Sequence, residues 1–185
     1  MAQPMGFGTL AKGATAFKRK NRWLFRIDGI ADDGVRALPP SKAARPSLTF
    51  KEMEVQHLNE TVFYPGRPEW KPIQLTLYDI IDEGNDKGSL VVEWIKKVYD
   101  AQSGNWQPAC GTGNVQIPGS GFKKRCLLEM FDGCGNTCES WTFENAWPQV
   151  IEWGELDMSE AGIVTIDITL RYDRAYKIIG QQSLQ

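Results

Sequence analysis

The chain has 185 residues, 42% of them hydrophobic, with 21 Lys and Arg against 23 Asp and Glu for a formal net charge of -2. That length suits one sizeable domain, that hydrophobic share excludes global disorder, and the balanced charge excludes the basic excess of a tight nucleic-acid binder. No apolar run approaches the roughly 18–20 residues that cross a bilayer, and the start, MAQPMGFGTLAKG, lacks the basic-then-apolar order of a signal peptide, so the chain is expected to be made in the cytoplasm.

Residues 1–21 are small, polar and basic, with Lys12, Lys18, Arg19 and Lys20 ahead of the first acid, Asp28. They read as an N-terminal arm, solvated or docked on a neighbouring copy. Trp23, Phe25 and Ile27 alternate with Leu24 and Arg26, which predicts a first short strand. Asp32-Asp33-Gly34 reads as a turn, and Pro39-Pro40 as an extended connection.

Ser47–Gln56 reads as a second strand with mixed faces, and Trp70–Tyr78 as a third, with Ile73, Leu75 and Leu77 on one face. Pro72 near its start favours an edge or a bulge. The two are expected to form a hairpin with a long loop over 57–68, punctuated by Asn59, Pro65, Gly66 and Pro68. Loops of that length tend to touch something.

From Lys87 to Gln102 the period changes. Leu90, Val91, Trp94, Ile95 and Val98 form one helical stripe, with Glu93, Lys96 and Lys97 off it. Asn85 and Asp86 are candidate caps and Gly104 a candidate stop. Burying the stripe gains about 8–15 kcal/mol gross, and a helix this short needs a sheet to lie against.

Residues 105–121 are rich in Gly and Pro and read as loop. Phe122–Phe131 and Thr137–Trp147 read as strands joined by an Asp132-Gly133 turn. Trp147-Pro148 reads as an aromatic-proline turn. The last strand is the clearest: Val164, Ile166, Ile168, Leu170 and Tyr172 point one way, and Thr165, Asp167, Thr169 and Arg171 the other. The sum is a mainly β (α+β) domain over 22–178, an antiparallel barrel or sandwich with one packing helix at about 87–102, followed by a tail over 179–185.

Catalytic vocabulary is sparse. His57 is the only histidine, and no nucleophile elbow accompanies it. Glu152, Glu155, Asp157 and Glu160 cluster in sequence and read as solvated loop charge. The alternative is a hydrolase, which needs two carboxylates across a cleft. Gly111–Gly121 lacks the Gly-Lys-Ser/Thr ending of a phosphate loop. Cys110, Cys126, Cys134 and Cys138 contain one close pair only, so a four-cysteine zinc site is a weak reading. Free thiols are the default, and a Cys134–Cys138 staple or a zinc- or disulfide-stabilised binding module is the alternative. No cofactor is expected. Seven tryptophans suit core positions or contacts between subunits, with Trp70, Trp94, Trp141 and Trp147 the candidates.

Two segments resemble the tail tube proteins of contractile-tailed bacteriophages. In Glu60–Asp79 a polar hairpin runs into a glycine, an aromatic four residues on, alternating apolar positions and a closing acid. Gly66, Trp70, Ile73, Leu75 and Asp79 take those places. The ending is similar as well: Trp147-Pro148, a Gly-Glu-Leu-Asp step at Gly154–Asp157, then a last alternating strand to Tyr172-Asp173. The cysteine-bearing region, 105–138, departs from that pattern.

The resemblance implies a structural virion protein and not an enzyme. Its copies would form hexameric rings that share an inner β-barrel and stack into a hollow tube for genome ejection. Strands 47–56, 69–78, 122–131 and 137–144 would supply the inner wall. His57, Asn59, Glu60, Phe63, Tyr64, Arg67 and Trp70 would make contacts between subunits. Implied partners are further copies of the chain, the tail sheath, baseplate and neck proteins, and double-stranded DNA passing through without specific binding. The expected location is the virion tail, assembled in the host cytoplasm. A tube-initiating or tube-terminating ring, or the tube of a related secretion system, fits the same resemblance.

Overall fold

A computed structural model describes residues 17–28, 40–82, 85–86, 88–106, 121–159 and 161–178. In chain order the elements are β1 (Trp23–Ile27), β2 (Pro40–Ala43), β3 (Ser47–His57), β4 (Glu60–Lys71), β5 (Ile73–Tyr78), β6 (Ile81–Asp82), β7 (Asn85–Asp86), α1 (Gly88–Lys96), β8 (Tyr99–Asp100), β9 (Asn105–Trp106), β10 (Lys124–Phe131), β11 (Thr137–Glu152), β12 (Thr165–Arg171) and β13 (Arg174–Ile178). Mainly antiparallel β with one helix is therefore the fold class among the described residues.

Two packed sheets share one bent ribbon. The first half of β11 pairs with β10 on one side and with β13 on the other. Its second half pairs with β12, which continues to β5 and then β2. The ribbon partner of β11 is thus β12 and β13 in succession, interrupted at Tyr172-Asp173. The corner is built from named features. Asn145 sits at φ 56, a β-bulge lies between Pro148 and Val150, and the Asn145 side-chain amide donates to Asp173 at 2.8 Å. Strands that switch sheets at bulges make such corners. Trp147-Pro148 is consequently an interior part of one long strand, which corrects the turn expected there.

The core fills the space between the sheets. Phe25, Cys126, Leu128, Phe143 and Ala175 come from one side, and Ile73, Leu75, Leu77, Ile166, Ile168, Leu170 and Tyr172 from the other. Alternation along β12 and β5 puts these residues on one face, as the period of two requires. Phe143 packs edge-on to Tyr172 with centroids 5.1 Å apart.

Helix α1 buries Val91 and Trp94, with Leu90 and Ile95 packed at the margin. The Trp94 indole N–H donates to the Phe122 carbonyl at 2.6 Å. The helix expected over 87–102 stops at Lys96. Its last turn tightens to i→i+3 bonds from Lys97 and Val98. Beyond it, the Asp100 carboxylate accepts from the Ser103 hydroxyl at 2.6 Å and fixes a separate turn, closed by Gly104 at φ 72. A side chain that offers the backbone a local turn competes with helix. The backbone of Asn85 and Asp86 pairs with Ile81–Asp82 in a short ladder.

Among the described residues the sheet path does not close on itself. It runs from β1 at one end to β2 at the other. The N-terminal arm before residue 17, the Asp32-Asp33-Gly34 turn, Cys110, the glycine loop before Gly121, Glu160 and the 179–185 tail lie outside the described residues.

Candidate functional site

Two surfaces stand out, and neither resembles a catalytic cleft. The first is the β3–β4 hairpin. The long loop expected over 57–68 is not there: the strands run on to a two-residue tip, with His57 opposite Glu60. Eleven residues of β3, at about 3.4 Å each, make a ribbon roughly 37 Å long. Every β3 residue is exposed, and on β4 only Gly66 and Trp70 are partly covered. It forms a two-stranded sheet of its own.

Register places the side chains. Leu48 and Phe50 lie opposite Trp70 and Pro68 on one face near the root. Met53 and Val55 lie opposite Tyr64 and Val62 on the other face toward the tip. Between these patches β4 carries an extra residue, in a bulge at Gly66-Arg67. Gly66 is required there, because a Cβ would stand 2.6 Å from the Lys51 carbonyl oxygen. At the tip, Leu58 is 92% exposed and holds φ at 54, a left-handed conformation that costs a non-glycine residue about 1–2 kcal/mol.

Of the residues expected to contact other subunits, His57, Asn59, Glu60, Phe63, Tyr64 and Arg67 lie along the exposed ribbon and its tip. Trp70 sits apart at the root, half-buried, its ring centroid 6.0 Å from that of Tyr172. Sequence reading passed over Phe50, Met53, Val55 and Val62. Phe50, Met53 and Val55 lie on a strand read with mixed faces, and Val62 falls in the stretch read as loop.

The second surface is a cleft of about 600 Å³ at the open ends of the sheet path, between β1 and β10 on one side and β2 on the other. Its floor is apolar: Trp23, Ala43, Leu128 and Met130. Its rim is basic: Lys18, Arg19, Lys20, Lys42 and Arg45. Two of these cations face Glu139, a carboxylate buried at the start of β11. Lys18 pairs with it, Arg45 stands 3.8 Å away and Lys177 of β13 stands 3.9 Å away. The Trp141 indole N–H also donates to it at 2.6 Å. The Lys18 hydrogen bond is the chief reason the Glu139 carboxyl is held below its ordinary range, with burial opposing and Trp141 assisting.

A carboxylate with a depressed folded-state pKa contributes stability above its unfolded pKa and loses it as pH falls through the folded value. The expected result is that acid melts of wild type lose about 1–3 kcal/mol below pH ~4.5 through this group. Glu139→Gln should show lower stability at neutral pH and a flatter acid profile. Equal slopes for the two proteins would remove Glu139 from the account.

Among the described residues the remaining candidates do not assemble into a site. Cys126 is wholly buried, and burial pushes its thiol up, away from the thiolate a metal needs. Cys134 and Cys138 are free and exposed at the β10–β11 turn. Among the described residues no group of three or more His, Cys, Asp or Glu converges as a metal site. Glu152, Glu155 and Asp157 are exposed on and beside the β11–β12 loop. The Asp157 carboxyl is lowered first by the Ser159 hydroxyl and then by the Ser159 amide, in a local turn.

No family model matches the chain, and no curated protein matches it significantly. Solved structures do. A chain of the anti-feeding prophage cap, the AFP tube terminating cap, superposes with a TM-score of 0.64 at 18% identity, over 91% of this chain and 95% of that one. A chain of the PVC sheath/tube terminator, from an extracellular contractile injection system in its extended state, superposes at 0.64 with 15% identity, over 90% and 100%. One from the PVC sheath-tube complex superposes at 0.61 with 15% identity, over 95% and 99%. At such identities the likeness is one of fold. The fold is the one found in tube and tube-terminator structures of contractile injection systems.

Proposed function

We propose that the chain is a structural ring subunit of a contractile tail tube or of a related injection machine. Copies would close into hexamers and stack into a hollow conduit, inside a sheath and between baseplate and neck proteins. The observation that carries this reading is the unpartnered ribbon of β3 and β4. An isolated two-stranded hairpin is marginal in water, and this one exposes large apolar side chains on both faces. A second chain laid against it would supply the missing layer. The open strands β1 and β2 support the same reading, since barrel closure between copies removes edges that would otherwise aggregate.

His57, Asn59, Glu60, Phe63, Tyr64 and Arg67 belong to this contact in the proposal, and Trp70 braces the hairpin's root. In a phage tail the conduit would pass double-stranded DNA without holding it. Phosphate affinity comes from Lys and Arg, so the basic cleft must then face away from the bore. A role as a terminating ring is the second reading, favoured by the two superpositions with terminator structures. Electron microscopy of the purified protein tests both. Six-fold rings with a central hole are expected, as long tubes for a tube subunit and as single rings for a terminator. A monodisperse monomer at high concentration would overturn both.

A further inference from the structure

The basic cleft fits neither the hairpin contact nor any chemistry inside the subunit. Five cations rim an apolar floor. Lys18 and Arg45 are turned to Glu139, Lys42 also lines a neighbouring cavity with Asp167 and Glu152, and Arg19 and Lys20 make no ion pair with a described carboxylate. A surface of that kind fits an acidic segment carrying apolar side chains.

The same chain exposes one. The loop from Trp153 to Ser159, WGELDMS, leaves β11 with Leu156 84% exposed and Met158 fully so. Glu152 and Glu155 stand beside them, both exposed. Its shape is set in advance. Gly154 holds φ at 73, where a Cβ would lie 2.7 Å from the Thr165 carbonyl oxygen. The Asp157 carboxylate accepts from the Ser159 amide at 2.8 Å and from its hydroxyl at 2.7 Å. A loop held by its own bonds loses little entropy on docking. Large apolar side chains left in water on it gain by covering.

We infer that the Trp153–Ser159 loop of one copy docks in the basic cleft of a second copy. Leu156 and Met158 cover Trp23 and Met130, and Glu152 and Glu155 face Arg19 and Lys20. Charge complementarity selects a second copy as the occupant. No residue of the loop lines the cleft of its own chain, so the contact is heterologous, the kind that closes rings or propagates stacks. The inference rests on the ring-subunit reading and adds a specific contact that the hairpin does not supply.

Charge exchange tests it. Arg19→Glu with Lys20→Glu is one variant and Glu152→Lys with Glu155→Lys the other. A third chain carries all four substitutions. Assembly is followed against protein concentration by sedimentation and electron microscopy, and folding by thermal melting. Each two-residue variant should raise the concentration needed for assembly about tenfold or more, because like charges face each other across the contact. The four-residue chain should return to within about threefold of wild type, since the exchanged charges attract again. Three results would overturn the docking while leaving the ring reading intact: both two-residue variants assembling like wild type, no recovery in the four-residue chain, or loss in the cleft variant alone, which would place a segment of the same chain in the cleft. Wild type that forms no rings under any condition would overturn the ring reading, and this contact with it.

Discussion

A chain whose hairpin is cut back to its root should fold normally and fail to polymerise. The change replaces Lys51–Arg67 with an Asn-Gly turn and keeps Ser47–Phe50 paired with Pro68–Lys71. No core residue lies in the removed segment, so the monomer's thermal midpoint should move by only about 3 °C or less. Assembly should be lost altogether, because the removed ribbon carries Met53, Val55, Val62, Phe63 and Tyr64, all exposed in the lone subunit. A milder change points at the same surface. Gly66→Ala would press a methyl group against the Lys51 carbonyl, shift the bulge and re-aim every side chain beyond it, which should weaken assembly with the core intact. Normal tubes from the shortened chain, seen by electron microscopy, would remove the hairpin from the assembly contact.

Burial explains which parts were legible in the sequence. β12 is legible residue by residue because one of its faces is core, so Ile166, Ile168, Leu170 and Tyr172 alternate with polar neighbours. The helical stripe was visible for the same reason, although its end depended on a turn that Asp100 builds with its own side chain. β3 and β4 have no buried face in one chain, and nothing in their pattern announced where they end. Pro65, Gly66 and Pro68 read as loop punctuation because they interrupt a strand, and a two-stranded ribbon with free edges and a bulge tolerates them. Pro148 misled in the same way, seated beside a bulge in β11. β13 carries no legible pattern because RAYKI buries only Ala175. The basic cleft joins residues 18–20, 41–45 and 128–130, which only the fold brings together. Summed over the whole chain its charge disappears into a balanced total.

The core makes the complementary prediction. Phe143 is completely buried, lies 5.1 Å from the Tyr172 ring and 6.0 Å from the Phe25 ring, and joins the inner faces of the two sheets beside their shared corner. Phe143→Ala removes a ring from a site whose neighbours are held by two sheets and cannot collapse freely, so it should cost about 3–5 kcal/mol. That is a large part of the roughly 5–15 kcal/mol that stabilises a domain, and should lower the thermal midpoint by about 10 °C. Association protects the folded state by mass action and would mask part of this loss. The measurement is therefore made in the hairpin-shortened chain, where the subunit melts alone. A loss below about 1 kcal/mol there would be too small for a large-to-small change in a close-packed interior, and would mean that the two sheets do not meet at Phe143. A full loss, together with normal melting of the shortened parent, would separate the residues that fold the subunit from those that join it to its neighbours.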